Sequence, residues 1–192
     1  MLREAKRTVY FATGNRGKYI EAVRIASAHG VALKHLRLQK QEIQSEHITD
    51  IASFAATHAA ASTLKAVVAE DAGLFVKGLS GFPGPYSSYV FDTLGLRGIL
   101  RLMQNMRNRE ALFQAAVAYC EPRKRPTCFT GIVGGTLARR PRGSHGFGFD
   151  PIFIPKEGDG RTFAEMSTNE KNLCSHRARA FSKFCRWFAS NR

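Results

Sequence analysis

Short apolar runs and segments with helical spacing of apolar residues alternate through the first third of the chain. Thr8–Ala12 has the composition of a strand, and apolar residues that recur at helical spacing over residues 18–29 predict a helix that ends at Gly30. Imperfect alternation predicts a second strand over residues 31–38, and an alanine-rich segment predicts a helix over residues 51–64. Such alternation of strand and helix is typical of α/β proteins.

Apolar runs of strand length dominate the rest of the chain. Residues 66–69 predict a buried strand that ends in Glu70-Asp71-Ala72-Gly73, and residues 74–76 continue it. The other predicted elements are short helices over 86–91 and 93–106, long strands over 111–120 and 128–137, a strand over 152–154, a capping box of Ser167 and Glu170, and a last helix over 175–188. We therefore predict a single α/β domain over residues 1–192, in which helices flank an elongated mixed β-sheet.

The composition is that of a globular protein without a membrane span. Of the 192 residues, 44% are hydrophobic and 23% are charged, as in ordinary soluble domains. The richest apolar stretch, residues 51–69, is interrupted by Ser53, Thr57, His58 and Lys65. Residues 1–6 contain no signal-peptide core. We expect a cytoplasmic protein with no membrane partner.

The cysteines and the net charge limit the classes of protein to which the chain could belong. The four cysteines lack the spacing of a zinc site, so we expect them to be reduced and structural. The formal net charge of +14 favours polyanionic partners, such as nucleic acids or nucleotide phosphates. The basic residues are spread through the chain, so charge alone leaves both nucleic-acid binding and local chemistry open.

The segment TGNRGK, residues 13–18, lies between the first predicted strand and the first predicted helix. Backbone N–H groups and the helix dipole favour an anion at such a place. Thr13 and Asn15 can donate hydrogen bonds from their side chains, and Lys18 can neutralise phosphate charge. The spacing is not that of a P-loop. The segment predicts a phosphate site, and an ordinary turn capped by Asn15 is the alternative.

Glu70 and Asp71 form an adjacent carboxylate pair in a chain that has only 15 acidic residues. They follow an apolar run, where burial without a cation would be costly, and Mg²⁺ suits carboxylate oxygens and substrate phosphates. Because adjacent strand residues point to opposite faces, one carboxylate can hold metal while the other deprotonates water. Glu42 could complete the metal site, although on its own it is better explained as a solvated loop residue. The alternative is that the pair lies in an exposed acidic turn before Gly73.

The segment GFGFDP, residues 146–151, is a poor pattern for a core strand, because glycine often marks the close approach of a ligand. An aromatic ring on such a loop offers a stacking face, and nearby charged groups offer polar readout of a base. Lys171, His176 and Arg177 are the nearest candidates for that readout. The set predicts a nucleobase pocket, and a hairpin turn with buried phenylalanines is the alternative.

Seven motifs, in order, resemble those of the inosine triphosphate pyrophosphatase family: TGNRGK, EDAGL, GFPGPYSSY, GFGFDPIF, TFAEM, EKN and SHR. The resemblance covers residues 9 to about 181, and the form of the motifs is similar to archaeal members. It implies two lobes around a central nucleotide-binding cleft, Mg²⁺ dependence and a homodimer. We expect the dimer interface at residues 82–89. It also implies hydrolysis of ITP, dITP and XTP to the nucleoside monophosphate and pyrophosphate.

The resemblance also implies a role for each matching residue. Asp71 would activate the attacking water, and Glu42, Glu70 and Asp71 would hold Mg²⁺. Phe147 would stack on the base. The implied substrate-binding set is Thr13, Gly14, Asn15, Arg16, Gly17, Lys18, Ala72, Phe147, Gly148, Phe149, Asp150, Lys171, His176 and Arg177.

One helix and two single residues depart from the family pattern. Phe54, Thr57 and His58 occupy the helix that often carries a phosphate-binding lysine, and Lys65 is further along the chain. Ala72 stands where many members have Ser or Thr. Phe149 replaces the commoner Tyr or Trp, which keeps an aromatic ring but removes a polar handle. These departures bear on affinity and specificity more than on the type of reaction.

Two other functions compete with this prediction. One is a related pyrophosphatase of the septum-formation-inhibitor type, which acts on modified pyrimidine nucleotides; the SHR and GFGFDP motifs argue against it. The other is a basic nucleic-acid-binding protein, which would leave Glu70 and Asp71 unexplained. We therefore expect nucleotide substrates and no obligate nucleic-acid partner.

Overall fold

The computed structural model describes residues 8–38, 41 and 43–191. Its strands are β1 (Thr8–Ala12), β2 (Ala32–Leu36), β3 (Val67–Val76), β4 (Pro83–Gly84), β5 (Glu110–Cys120), β6 (Thr127–Leu137) and β7 (Phe153–Pro155). Its α-helices are α1 (Arg16–Ala28), α2 (Ile48–Thr63), α3 (Ser87–Thr93), α4 (Gly95–Leu102), α5 (Thr168–Cys174) and α6 (His176–Ser190). Short 3₁₀ turns occupy Lys77–Leu79, Asp150–Ile152 and Phe163–Glu165.

All seven strands of the described residues belong to one mixed sheet, which the pattern predicted without β4. The order across it is β2-β1-β3-β5-β6-β7, and β4 pairs with β3 away from this path. The β1–β2 and β1–β3 pairs are parallel, because α1 and α2 return the chain to the same end of the sheet. The remaining pairs are antiparallel, including the long β3–β5 and β5–β6 ladders. The prediction of an α/β fold with a mixed sheet is confirmed.

Helices cover both faces of the sheet and create three apolar clusters. Helices α1 and α6 pack on one face around Phe11 and Phe181. Helix α2 covers the opposite face, where its alanines lie close to Ala116 and Ala118 of β5. A third cluster, which includes Phe153, fills the region between β5, β6, α4 and the 3₁₀ turns. The small alanine side chains let α2 lie close to the sheet.

Several element boundaries differ from the predicted ones. Helix α1 begins two residues earlier, at Arg16, because the Asn15 side chain accepts a hydrogen bond from the Lys18 amide and caps it there. The capping box of Ser167 and Glu170 is confirmed, and it begins α5, a separate helix that the pattern had not delimited. None of the helices in the described ranges is long and apolar enough to cross a membrane.

Strand β3 corrects the prediction that Glu70 and Asp71 lie at a strand end. The strand runs unbroken from Val67 to Val76, because β5 pairs with it along its whole length. On its other edge, pairing with β1 stops at Ala69 and pairing with β4 starts only at Leu74. Residues 70–73 therefore lie in a gap between β1 and β4. This gap, rather than a strand end, places the acidic pair at an open edge of the sheet.

The outer edge of β6 is protected by helix α6. Strand β7 pairs with β6 only from Gly135 to Leu137. Beside the preceding residues, Arg179 donates a hydrogen bond from Nη1 to the carbonyl oxygen of Ile132 (2.9 Å). Lys183 donates from Nζ to the carbonyl oxygen of Thr130 (2.7 Å). Two cationic side chains therefore satisfy carbonyl groups that a neighbouring strand would otherwise bind.

The contact between β3 and β4, which borders the gap, depends on a close approach of two glycines. A Cβ atom at Gly73 would lie 2.2 Å from the carbonyl oxygen of Gly84, which is backbone and cannot move aside. We expect Gly73→Ala to lower the free energy of unfolding by about 1–3 kcal/mol, as overpacked sites do. Urea denaturation would measure this change.

Gly134 supplies the matched control, because it also lies within a strand but a Cβ atom there would meet nothing within 4 Å. Gly134→Ala should be neutral or stabilising by about 0.4–1 kcal/mol, through a smaller loss of backbone entropy on folding. Equal effects of the two substitutions would show that the β3–β4 contact is not tight.

Candidate active site

A cavity of about 440 Å³ opens beside the gap between β1 and β4 at the edge of β3. It lies between the first turn of α1, helix α3 and the start of α6. Most residues of the predicted site line it. They are Thr13, Gly14, Asn15, Lys18, Asp71, Ala72, Phe147, Gly148, Phe149, Asp150, Lys171, His176 and Arg177. Arg16, Gly17 and Glu70 do not line it, and Glu42 lies outside the described residues.

The TGNRGK segment forms one wall of the cavity at the N-terminus of α1. The Thr13 hydroxyl accepts a hydrogen bond from the Asn15 amide (3.1 Å), and the His35 ring donates a hydrogen bond from Nε2 to the Thr13 carbonyl oxygen (2.8 Å). These bonds fix the loop just before the helix. Arg16 is exposed and is not part of the lining. The wall therefore combines a helix N-terminus with the ammonium group of Lys18, which suits a phosphate chain.

Phe147 lies against this wall, and its position explains why residue 17 is a glycine. A Cβ atom at Gly17 would lie 2.6 Å from Cδ1 of Phe147, so the ring rests directly on the backbone of α1. Lys171 Nζ lies 4.9 Å from the ring centroid and Arg177 Cζ lies 5.3 Å from it, which places two cations against the ring. The ring is half-buried and lines the cavity. Gly17 is thus a packing residue for the aromatic ring rather than part of the phosphate wall.

Phe149 differs from Phe147 in its surroundings. It is buried in the third apolar cluster, and its ring meets Phe91 edge to face with centroids 5.4 Å apart. Phe149 is therefore a buried phenylalanine, as the alternative expected, although it lines the cavity together with the less buried Phe147. Asp150 holds the loop between them, because its Oδ2 accepts a hydrogen bond from the Phe147 amide (2.8 Å).

Lys171 joins this loop to a residue that the sequence analysis missed. Its buried ammonium group donates to Oδ2 of Asp150 (2.6 Å) and to Oε1 of Glu21 (2.8 Å). Glu21 lies on the buried face of α1, beside Ala22 and Ile25. The signal in the sequence was a carboxylate on the apolar face of an amphipathic helix, in a chain with few acids. A buried carboxylate requires a cation, and Glu21 has two.

Arg177 extends the same network towards β3. Its Nη1 donates to Oε2 of Glu21 (2.5 Å), and its Nη2 donates to Oε1 of Glu70 (3.1 Å). Oε2 of Glu70 lies 2.9 Å from Nζ of Lys18. Burial raises the pKa of Glu21, but Arg177 and Lys171 more than offset it and hold that pKa below its ordinary value. Glu21 is therefore an anion that fixes both cations.

We call the resulting series of ion pairs the charge chain. It runs from the loop that carries Phe147 to the edge of β3 that carries the acidic pair. Among the described residues it contains three carboxylates and three cations, so the formal charges of these six residues balance. In order, its members are Asp150, Lys171, Glu21, Arg177, Glu70 and Lys18.

His176 supplies a neutral polar group next to the charge chain. Its ring stacks on Phe113, with centroids 4.6 Å apart and planes 10° apart. Burial, reinforced by the charges of Arg177, Lys171 and Lys18, lowers the pKa of His176 well below its ordinary value. Within the described part of the chain, Nδ1 of His176 and Nε of Arg177 are buried and have no hydrogen-bond partner. Both residues line the cavity, so these two nitrogens are suited to a ligand.

The acidic pair fits a divalent cation by its chemistry. Glu70 and Asp71 are both buried, and Glu70 already contacts two cationic groups. Their carboxylate oxygens are the ligands that Mg²⁺ prefers. The described residues contain no group of three His, Cys, Asp or Glu side chains placed around one metal position. Glu42, the third predicted ligand, is not among those residues.

The structure answers one question about the departures from the family pattern. Lys65 does not replace the missing lysine of α2, because its Nζ lies over the ring of Tyr10, 4.4 Å from the centroid. Phe54 and His58 stack on each other on α2, and neither lines the cavity. Among the described residues, the cations that line the cavity are Lys18, Lys171 and Arg177.

A phosphate wall at a helix N-terminus, an aromatic ring and a buried set of charged groups, all on a mixed α/β sheet, define a nucleotide-binding enzyme. The Ham1 family model matches residues 9–187, so the chain belongs to the Ham1 family. This confirms the predicted family and the predicted class of enzyme.

Known relatives agree with this assignment. The chain is 49% identical to the dITP/XTP pyrophosphatase of Methanopyrus kandleri, over 95% of this chain and 97% of the relative. It is 47% identical to the protein of the same name from Methanothermobacter marburgensis, with the same coverage. Among solved structures, a HAM1 protein from Coxiella burnetii matches with a TM-score of 0.84 and 27% identity, over 96% of this chain and 99% of that one. The Staphylococcus aureus Ham1 protein matches with a TM-score of 0.82 and 26% identity, over 97% and 100%.

Glu21 should be essential to the stability of the charge chain. Glu21→Gln would leave Lys171 and Arg177 buried without their shared counter-ion, so we expect the free energy of unfolding to fall by about 3–5 kcal/mol. Urea denaturation would measure the change. The matched control is Glu110→Gln, which breaks an exposed 2.9 Å pair with Lys77 and should cost no more than about 1 kcal/mol. Similar losses in the two variants would mean that the charge chain is solvated.

His176 should make the stability depend on pH. Because its pKa is lowered in the folded state, the unfolded state binds more protons below a pH of about 6.5. The wild type should therefore lose up to about 1.4 kcal/mol per pH unit, relative to His176→Gln, as the pH falls from about 6.5 to 5. Denaturation at several pH values would measure both slopes. Parallel slopes would show that the buried imidazole is protonated.

Proposed function

We propose that this protein hydrolyses non-canonical purine nucleoside triphosphates, namely dITP, ITP and XTP, to the nucleoside monophosphate and pyrophosphate. The observation that carries the proposal is a pair of buried nitrogens, Nδ1 of His176 and Nε of Arg177, which have no hydrogen-bond partner among the described residues and belong to residues that line the cavity with Phe147. The printed names of the relatives, dITP/XTP pyrophosphatase, support the same substrates.

The base would stack on Phe147, with its 6-position towards Arg177 and His176. The Nε–H group of Arg177 is a permanent donor, and the neutral imidazole of His176 can carry a proton on Nδ1. Hypoxanthine and xanthine present a carbonyl oxygen at the 6-position, which accepts from these donors. Adenine presents an amino group, which would leave buried donors unpaired at a cost of about 1–3 kcal/mol each. Guanine also has the carbonyl, so its exclusion depends on its 2-amino group.

The triphosphate would lie along the TGNRGK wall. The N-terminus of α1 lies at this end of the cavity, and Lys18 adds a positive charge. With the base fixed at Phe147 and the phosphates at α1, the α-phosphate would lie near the edge of β3. Asp71 lines the cavity there.

Asp71 would act as the general base. Its carboxylate would take a proton from a water molecule, whose oxygen forms a bond to the α-phosphorus while the bond to the bridging oxygen of the β-phosphate breaks. Pyrophosphate leaves with the bond electrons. We propose that Glu70, Asp71 and Glu42 hold Mg²⁺, which would neutralise phosphate charge when bound.

Three further features belong to the proposal. The exposed aromatic rings of Phe82, Tyr86 and Tyr89 support a homodimer interface at residues 82–89. Nucleotide substrates that are small and soluble are consistent with a cytoplasmic protein. No obligate nucleic-acid partner is needed to complete the cavity.

Product analysis tests the proposed function. We expect incubation with ITP, dITP or XTP and Mg²⁺ to release pyrophosphate and the monophosphate, with much slower turnover of ATP and GTP. Chromatography of the nucleotides and an assay for pyrophosphate would measure the products. Asp71→Asn should lower kcat at least about a hundredfold, while the exposed control Asp159→Asn should not. Orthophosphate with a nucleoside diphosphate, or equal turnover of ATP, would exclude the proposal.

A further inference from the structure

Two segments of the chain carry arginines but no acidic residue. Residues 93–109 and 138–149 contain seven arginines and no Asp or Glu. Of the acidic residues at their borders, Asp92 lines the cavity, Glu110 forms an exposed ion pair with a lysine, and Asp150 belongs to the charge chain. The two segments therefore carry positive charge without a carboxylate of their own.

The side chain of Arg109 joins these two segments in space. It donates hydrogen bonds from Nε to the carbonyl oxygen of Leu137 (2.8 Å), from Nη2 to that of Ala138 (2.9 Å) and from Nη1 to that of Met103 (3.0 Å). Burial, reinforced by the charge of Arg139, lowers the pKa of Arg109 below its ordinary value. The end of α4, the start of β5 and the end of β6 thus meet at one guanidinium group, and a second guanidinium group lies close to it.

Five exposed arginines surround this junction, and we call them the arginine patch: Arg97, Arg101, Arg107, Arg139 and Arg140. Arg101, Arg107 and Arg139 lie at most two residues, or about 7 Å of chain, from a residue that takes part in the junction. None of the five forms an ion pair or a side-chain hydrogen bond with another residue that the structure describes. Arg142 is not a member, because it pairs with Glu165 (3.3 Å).

The composition of the arginine patch favours a partner that carries many phosphates. Guanidinium groups donate paired hydrogen bonds that match phosphate oxygens. A single small anion could contact only part of the patch, whereas double-stranded DNA carries one negative charge per about 1.7 Å of helix axis. Residues 93–109 and 138–145 contain no Phe, Tyr or Trp on which an unpaired base could stack. The chemistry is therefore suited to the backbone of a duplex.

An anionic membrane fits the same surface less well. Leu94 and Leu102 are exposed beside the arginine patch, but a helix that lies in a membrane surface needs a wide apolar face. Helix α4 has only eight residues, and Ile99 is buried in the third apolar cluster. Two single leucines on a surface are common in soluble proteins. The exposed part of α4 is therefore dominated by its charge.

We propose that the arginine patch binds the phosphate backbone of double-stranded nucleic acid without reading its sequence. None of the five arginines lines the cavity, so this binding does not rest on the proposed hydrolysis and is an addition to it. Affinity of this kind is weak, with a dissociation constant of about 1–100 μM at physiological salt, and it falls steeply as salt is added.

Duplex binding tests the proposal directly. The probe is a fluorescein-labelled DNA duplex without a defined target sequence, and fluorescence anisotropy measures its dissociation constant at several salt concentrations. We expect the combined variant Arg101→Gln, Arg107→Gln and Arg140→Gln to bind at least about tenfold more weakly at low salt. The slope of log K against log salt concentration should become less steep by about 2–3, as expected for the loss of three phosphate contacts.

A matched control removes three positive charges at another place. The combined variant Arg123→Gln, Lys124→Gln and Arg125→Gln changes exposed residues of the turn between β5 and β6. This turn lies at the opposite end of these strands, about 35 Å from the junction, so duplex affinity should change by less than about twofold.

Lysine substitutions separate charge from structure. Arg101→Lys, Arg107→Lys and Arg140→Lys together keep the three charges, so this variant should retain most of the affinity that the glutamine variant loses. Circular dichroism would confirm the fold of each variant. An equal loss of affinity in the lysine and control variants would overturn the proposal, because it would not follow the charge of the patch.

The remaining outcomes are equally decisive. A wild type that does not bind the duplex, or an equal loss in the glutamine variant and the control, would overturn the inference. Tighter binding to vesicles of phosphatidylserine and phosphatidylcholine than to the duplex would assign the patch to membranes instead. Unchanged duplex affinity with a lower kcat/KM for dITP would make the patch a surface that steers nucleotides to the cavity, which also excludes the proposal.

An assay of pyrophosphate release from dITP separates this inference from the proposed function. A glutamine variant that loses duplex affinity at unchanged kcat supports the inference. If the wild type binds the duplex through the arginine patch but does not cleave dITP, the inference stands and the substrate assignment is wrong.

Discussion

The site depends on one constraint: ionised side chains can be buried only where each has a partner of opposite charge. Glu21 satisfies this constraint at the centre of the molecule, because its two oxygens bind Lys171 and Arg177 at once. Those two cations come from α5 and α6, which are adjacent in sequence, while Glu21 comes from α1. The same contacts that neutralise the charges therefore fix the three helices around the cavity. Stability and the geometry of the site have a common physical origin.

The gap in the sheet is the second determinant of the site. A continuous neighbour along β3 would have paired its edge and closed the space in which the cavity lies. Instead the pairing of β3 with β1 ends at Ala69 and its pairing with β4 begins at Leu74, so Glu70 and Asp71 lie at an edge that β5 supports from the other side. Carboxylates on a paired strand are held more precisely than carboxylates on a turn. The arrangement combines access from the cavity with a fixed backbone.

The sequence predicted what depends on local pattern. Periodicity found every strand except β4 and most helices, and the family motifs found 13 of the 19 residues that line the cavity. It failed where a long-range partner decides the outcome: residues 70–73 remain in a strand because β5 pairs with them, although their composition indicates a turn. Glu21 was missed because its importance comes from residues about 150 positions away. The contact of Gly17 with Phe147 was missed because it is invisible in the chain order.

The contacts of Arg179 and Lys183 bear on the excess of basic residues in this chain. An unprotected outer edge of β6 would be a template on which a second molecule could continue the sheet, and repeated addition would produce an aggregate. The side chains of Arg179 and Lys183 occupy carbonyl groups that such addition would use, and Arg179 is also paired with Glu157. Both residues thus oppose self-association, which relates them to colloidal solubility, a property of many molecules together rather than of one active site.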